Sequence, residues 1–260
     1  RALRAAGIEP LLGRGAAAAV AYPEPGLRPY GDVDLYVREE AVGDAREALR
    51  RRPPSLYVDL HVGFAPLDDR PVEELYRRSR EIDLDGQAVR IFGPEDHLRL
   101  LSLHFLKHGG WRPLWLCDVA ALLEAEGPSL DWDHLASGDE RRTDAVLRVL
   151  TLAGELLGAR LDAVPRDLAG RRPPRWMTEQ VLRAWGNPDF VPHGCRRPIA
   201  RTHGPSALLR GLCQRWPNGV EATAARGAWF DSRPRLPLQL AECLARVAGF
   251  AGRRAARQTS

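Results

Sequence analysis

Gly31-Asp32-Val33-Asp34-Leu35-Tyr36-Val37 sets two carboxylates two residues apart inside an alternating apolar pattern. On a β-strand, successive side chains point to opposite faces. Asp32, Asp34 and Tyr36 would share one face, and Val33, Leu35 and Val37 the core side. Two fixed carboxylates repel each other unless a cation lies between them, and a hard divalent ion of the magnesium type prefers such oxygen ligands. An exposed strand with two solvated aspartates is the alternative. Residues 56–64 alternate again, with Tyr57, Asp59, His61 and Gly63 on one face and Leu56, Val58, Leu60, Val62 and Phe64 on the other. If the two strands are neighbours, Asp59 completes a three-carboxylate cluster. If they are not, it is a structurally satisfied aspartate.

The elements that must position these groups come mostly before residue 95. Residues 1–7 read as the tail of a helix ended by Gly7, and 8–12 as a short strand. Gly13-Arg14-Gly15 then leads into Ala16–Ala21, the opening of a helix. A strand, a glycine-bearing turn and a helix start together offer backbone N–H groups to an anion such as phosphate; two glycines can also simply turn the chain. A proline-rich loop over 23–29 carries Arg28 toward the first aspartates. Residues 37–52 read as a helix, with Val42, Ala45 and Leu49 on one face. Residues 81–92 resemble a hairpin turning at Asp85-Gly86.

From Pro94-Glu95-Asp96 onward the pattern is helical: about 95–108, 112–125, 141–158, 176–185, 206–216 and 236–253. The change of pattern near residue 95 suggests a boundary between a strand-bearing core over 1–94 and a helical domain over 95–260. The expected class is therefore α+β. No internal repeat is visible.

With 260 residues the chain can bury a sizeable core. No run is long and apolar enough for a membrane span. The sequence starts at Arg1 and its single methionine is Met177, so the native start is expected upstream. Cys117, Cys195, Cys213 and Cys243 form no C-x-x-C pair, which argues against a zinc knuckle or a disulfide framework and fits a cytoplasmic protein. Net charge is +4, but nearly every basic residue is arginine, with Lys107 the sole lysine. Such a bias reads as coding composition, so the charge alone does not argue for nucleic acid. It does single out Lys107 as a candidate for contact with a phosphate.

Leu103-His104-Phe105-Leu106-Lys107-His108 sets His104 and His108 four residues apart. The glutamate of a zinc protease helix is missing, and Cys117 and Asp118 offer no third ligand at a suitable spacing. Packing or substrate contact is the expected role of the histidines, and Asp118 can cap, form a salt bridge or touch a ligand.

Gly13-Arg14-Gly15, Pro25 through Val37, Val58-Asp59-Leu60-His61 and His104 through Asp118 together resemble the uncharacterised nucleotidyltransferase family of the polymerase-β-like superfamily. The resemblance covers about residues 8–160. Arg14 stands where the family usually has lysine, Ala16 replaces the superfamily's serine, and Pro113 falls within a block that usually runs as a helix. The resemblance implies a small mixed β-sheet nucleotidyltransferase core flanked by helices, followed by a mostly helical region closing over nucleotide and acceptor. It implies that Asp32, Asp34 and Asp59 hold two magnesium ions, with manganese able to substitute, and are the catalytic residues. It further implies that Gly13, Arg14, Gly15 and Arg28 lie at the phosphates of an NTP, with His104, Lys107, His108 and Asp118 nearby. The implied reaction is transfer of an NMP to a small-molecule or peptide acceptor with release of pyrophosphate. A template-independent RNA nucleotidyltransferase, a catalytically silent NTP-binding or antitoxin-like protein and a metal-dependent phosphohydrolase are the alternatives.

Overall fold

The structure is a computed structural model that describes residues 1–24, 26–51, 57–84, 86–187 and 215–258. Pro25, Leu56, Asp85, Cys195, Cys213 and most of the helix expected over 206–216 lie outside these residues.

Five short strands form one mixed sheet in the order β3-β2-β1-β5-β4. They are β1 (Leu11–Gly13), β2 (Asp32–Val37), β3 (Tyr57–Val62), β4 (Arg80–Asp83) and β5 (Ala88–Ile91). β1 runs antiparallel to β2 and parallel to β5, while β2 and β3 are parallel. The expected hairpin is the antiparallel β4–β5 pair. The mixed sheet, its flanking helices and the helical remainder match the expected α+β class.

Both faces of the sheet are covered. Val37, with Leu35 and Leu60 beside it, packs against Leu3, Ala45 and Leu49 of helices α1 (Ala2–Ala5) and α3 (Val42–Arg50). α2 (Arg14–Ala18) follows β1 directly, and Ala16 and Ala17 pack with Leu12, Ile91 and Val33. On the other face Tyr36 joins Leu11, Phe64, Phe92 and Leu100. Residues lining that second core come from β1, β2 and the long helix α5 (Pro94–Lys107), with Leu75 supplied by α4 (Val72–Arg78).

Three local expectations change. The helix expected from residue 37 starts at Val42, because Val37 is the last residue of β2 and a 3-10 turn over Glu39–Ala41 intervenes. Phe64 does not continue the alternation of β3. Gly63 adopts φ +67, which ends the strand and swings Phe64 onto the face of Tyr36, with ring centroids 6.2 Å apart. Pro113 does not interrupt a helix; it is the first residue of α6 (Pro113–Glu126), where its missing N–H costs no hydrogen bond.

The chain forms two compact units: residues 1–104 with 114–172, and residues 105–113 with 173–260. The change from strands to helices near 95 falls inside the first unit, which also contains α7 (Trp132–Ala136), α8 (Glu140–Leu157) and α9 (Arg166–Ala169). The second unit includes α10 (Arg175–Trp185) and the helices Gly219–Ala225 and Leu236–Gln258. There Gly109 and Gly110 both have positive φ, and the indole of Trp185 donates to the carbonyl of Gly110. Among the described residues, no helix is long and apolar enough to cross a membrane.

Candidate active site

The parallel register of β2 and β3 sets Asp34 opposite Asp59 and Tyr36 opposite His61. Cross-strand partners put their side chains on the same face. That face therefore carries, in two adjacent rows, a pair of carboxylates and a stacked pair of rings, Tyr36 on His61 at 4.4 Å. Asp34 is 5 % exposed, and the Asp59 side chain is about half exposed. One end of the row is buried in the protein and the other is open to solvent. Burial raises the phenol of Tyr36 above its usual range, and the nearby Arg14 cation opposes that shift.

Asp34, Asp59 and His61 each place one possible ligand atom within 4.8 Å of the other two. His61 Nε2 is 2.9 Å from Asp34 Oδ1 and 3.2 Å from Asp59 Oδ2. Two carboxylates and an imidazole make a donor set suited to a divalent ion that accepts both oxygen and nitrogen. His61 was absent from the expected ligands. The signal for it was present, because it lies two residues after Asp59 and so shares its face.

Asp32 is on the same face one row earlier, opposite Tyr57. It is not a member of the close donor group. Its charge is also felt by the neighbouring Arg28 guanidinium.

Arg14 enters this group from the end of β1. Gly13 pairs with Asp34 across the antiparallel β1–β2 register, so the next side chain emerges beside the carboxylates. Arg14 has φ +51, a left-handed backbone uncommon for a residue with a side chain. Its Nη2 contacts Asp34 Oδ1 and His61 Nε2 and lies 3.4 Å from Asp59 Oδ2. Its Nη1 lies 3.0 Å from Nδ1 of His104, whose ring meets Trp115 edge to face.

A family model described as "Uncharacterised nucleotidyltransferase" matches residues 1–53 and 51–158, more than half of the chain. The chain belongs to this family. Among solved structures, the chain is similar to an antigenic nucleotidyltransferase-like protein from Paracoccidioides brasiliensis, with 17 % identity and a TM-score of 0.43. That alignment covers 65 % of this chain and 88 % of the other. No curated protein matches the chain.

The remaining expected residues of this nucleotidyltransferase-family chain divide by what holds them. Arg28 and Asp118 form a buried bidentate pair, Nε to Oδ1 at 2.7 Å and Nη2 to Oδ2 at 2.8 Å. The hydroxyl of Tyr22 donates to the same carboxylate at 2.8 Å. Burial and that anion together push the Tyr22 phenol upward. The salt-bridge option for Asp118 is the one realised. Arg28 is thereby committed to holding the loop before β2 against α6. The glycines of the turn are packed closely: a Cβ on Gly13 would come within 2.9 Å of the Tyr36 ring, and one on Gly15 within 3.3 Å of Tyr30 Cβ. Lys107 is exposed and His108 half-buried, both in the second compact unit.

Proposed function

We propose that the chain is a divalent-metal-dependent nucleotidyltransferase that moves an NMP from an NTP to a small-molecule or peptide acceptor and releases pyrophosphate. The observation that supports it most is the convergence of donor atoms from Asp34, Asp59 and His61 in a chain of this family. Asp32, on the same strand face, would add a further carboxylate. An ion held there would neutralise triphosphate charge and lower the barrier to attack on the α-phosphorus.

The chain's own residues supply position and charge. Asp34 is fixed by burial and by its contact with the Arg14 guanidinium, so its geometry is set before substrate arrives. Asp59, being half exposed, can reach the acceptor. In the proposed step an acceptor hydroxyl forms a bond to the α-phosphorus while the bond from that phosphorus to the bridging oxygen of pyrophosphate breaks. The hydroxyl proton goes to a carboxylate, and Asp59 is the one open to solvent. Arg14 contributes positive charge for the phosphates. Arg28 acts on the site through Asp118, by holding the loop that leads into β2. Lys107, His104 and His108 belong to the reading as nucleotide-side residues, for which Lys107→Arg is the direct check: a loss of NTP affinity supports the contact.

Calorimetry with ATP, CTP, GTP and UTP, with magnesium and with EDTA, tests the reading. The best nucleotide should lose most of its affinity in EDTA; equal affinity in both would contradict it. Magnesium-dependent NTP breakdown with no nucleotide on any acceptor would indicate a phosphohydrolase instead.

A further inference from the structure

We propose that Arg14 is a displaceable cation. Its guanidinium holds Asp34, Asp59 and His61 together until a divalent ion arrives bound to the triphosphate, takes over those three ligands and leaves Arg14 to the phosphates. The inference rests on the metal-dependent reading above and adds the form in which the ion enters: as an ion–nucleotide complex rather than as the free ion.

Three features of Arg14 carry it. First, Nη2 contacts all three residues of the candidate ligand group, at Asp34 Oδ1, Asp59 Oδ2 and His61 Nε2. Nε2 lies between Nη2 and, 2.9 Å away, Asp34 Oδ1, so it accepts from the guanidinium in one tautomer and donates to the carboxylate in the other. Second, the fit is incomplete. A guanidinium Nη carries two hydrogens and cannot give one to each of three acceptors. Nε of Arg14 is buried and has no hydrogen-bond partner among the described residues. Third, the side chain has a second anchor directed away from the carboxylates, Nη1 against Nδ1 of His104, so it can pivot without losing every contact.

The thermodynamic consequence is a coupling. A free ion entering the group must evict Arg14 and leave a largely buried guanidinium without a counter-charge, which is costly. A triphosphate supplies that counter-charge in the same event. The affinity for the ion should therefore rise when triphosphate is present, and by reciprocity the affinity for triphosphate should rise with the ion. Part of this coupling is direct ion–phosphate bonding. The part due to Arg14 is what a variant removes.

The test is calorimetric titration of manganese into the wild-type chain, Arg14→Met and Arg14→Gly, each with and without inorganic triphosphate. Glycine adopts φ +51 without strain, so Arg14→Gly guards against a fold defect from an unsuitable side chain; near-ultraviolet circular dichroism verifies both variants. The expected result is that both variants bind free manganese about tenfold or more tighter than wild type, and that triphosphate then strengthens manganese binding about tenfold less than it does in wild type. Equal free-ion affinity in all three proteins would overturn the role of Arg14 and leave the metal-dependent reading standing. Tighter free-ion binding with undiminished coupling would also overturn it, because Arg14 would then act only as a repelling charge. No manganese uptake by any of the proteins, with or without triphosphate, would remove the metal-dependent reading and this inference with it.

Discussion

Asp34 and Asp59 stand opposite one another in the β2–β3 register, yet Asp34 is buried and the Asp59 side chain is about half exposed. The same substitution should therefore do different things at the two positions. Asp34→Asn leaves Arg14 and His61 without their buried anion and should cost about 1–3 kcal/mol of stability. Asp59→Asn should change stability by no more than about 0.5 kcal/mol while lowering transfer about 100- to 1000-fold. Urea denaturation beside a transfer assay separates these effects. A normal rate in folded Asp59→Asn would make that carboxylate structural.

The Arg28–Asp118 pair predicts a loss of stability. Breaking a buried ion pair by removing one partner costs about 3–5 kcal/mol, so Asp118→Ala should be severely destabilised in chemical denaturation. Arg28→Lys keeps the charge but not the two-pronged geometry and should lie between Asp118→Ala and wild type. The double variant Arg28→Met with Asp118→Leu should recover much of the loss. Wild-type stability in both single variants would contradict the pairing.

His97 predicts an acid sensitivity. It is 1 % exposed on α5, Nε2 has no hydrogen-bond partner among the described residues, and burial lowers its pKa to about 3. Between the ordinary histidine value and about 3 the unfolded chain binds a proton that the folded chain does not. His97 should thus weaken the fold by about 1.4 kcal/mol per pH unit as pH falls through that window. Denaturation of wild type and His97→Leu at pH 7 and pH 4.5 isolates the effect. The stability difference should move in favour of the variant at the lower pH, and a pH-independent difference would place His97 in contact with water.

His61 predicts ion preference. An imidazole among the ligands favours manganese over magnesium more than three carboxylates would, since magnesium prefers oxygen. His61→Asp should shift relative affinity toward magnesium, and His61→Ala should weaken manganese more than magnesium. Direct calorimetry of both ions with the nucleotide present measures it. Unaltered preference in both variants would place His61 outside the ligand set.

Much of the sheet was legible because alternation is a local property. The aspartate strand, its neighbour bearing Asp59, the β4–β5 hairpin and α5 with its acidic start were all readable from period and turn chemistry. The end of β3 was not, because a single glycine at positive φ redirected Phe64. The short helices α4, α7, α9 and Gly219–Ala225 show too few turns for a periodic signal. The site was readable in its carboxylates and incomplete in its cations. Nothing local indicates that Arg28 meets Asp118 ninety residues away, or that Arg14 would lie among the carboxylates rather than beyond them. Those facts come from the register of β1, β2 and β3 and from α6 packing, which are non-local. The buried Arg70–Asp96 pair at the start of α5 was invisible for the same reason.

The most direct measurement is mass spectrometry of products after incubation with each isotopically labelled NTP, magnesium and a pool of metabolites and peptides, with pyrophosphate followed in parallel. The account predicts an acceptor heavier by one NMP and an equal amount of pyrophosphate, both abolished by EDTA and by Asp34→Asn with Asp59→Asn. Nucleotide transfer that persists in EDTA or in that double variant would contradict it.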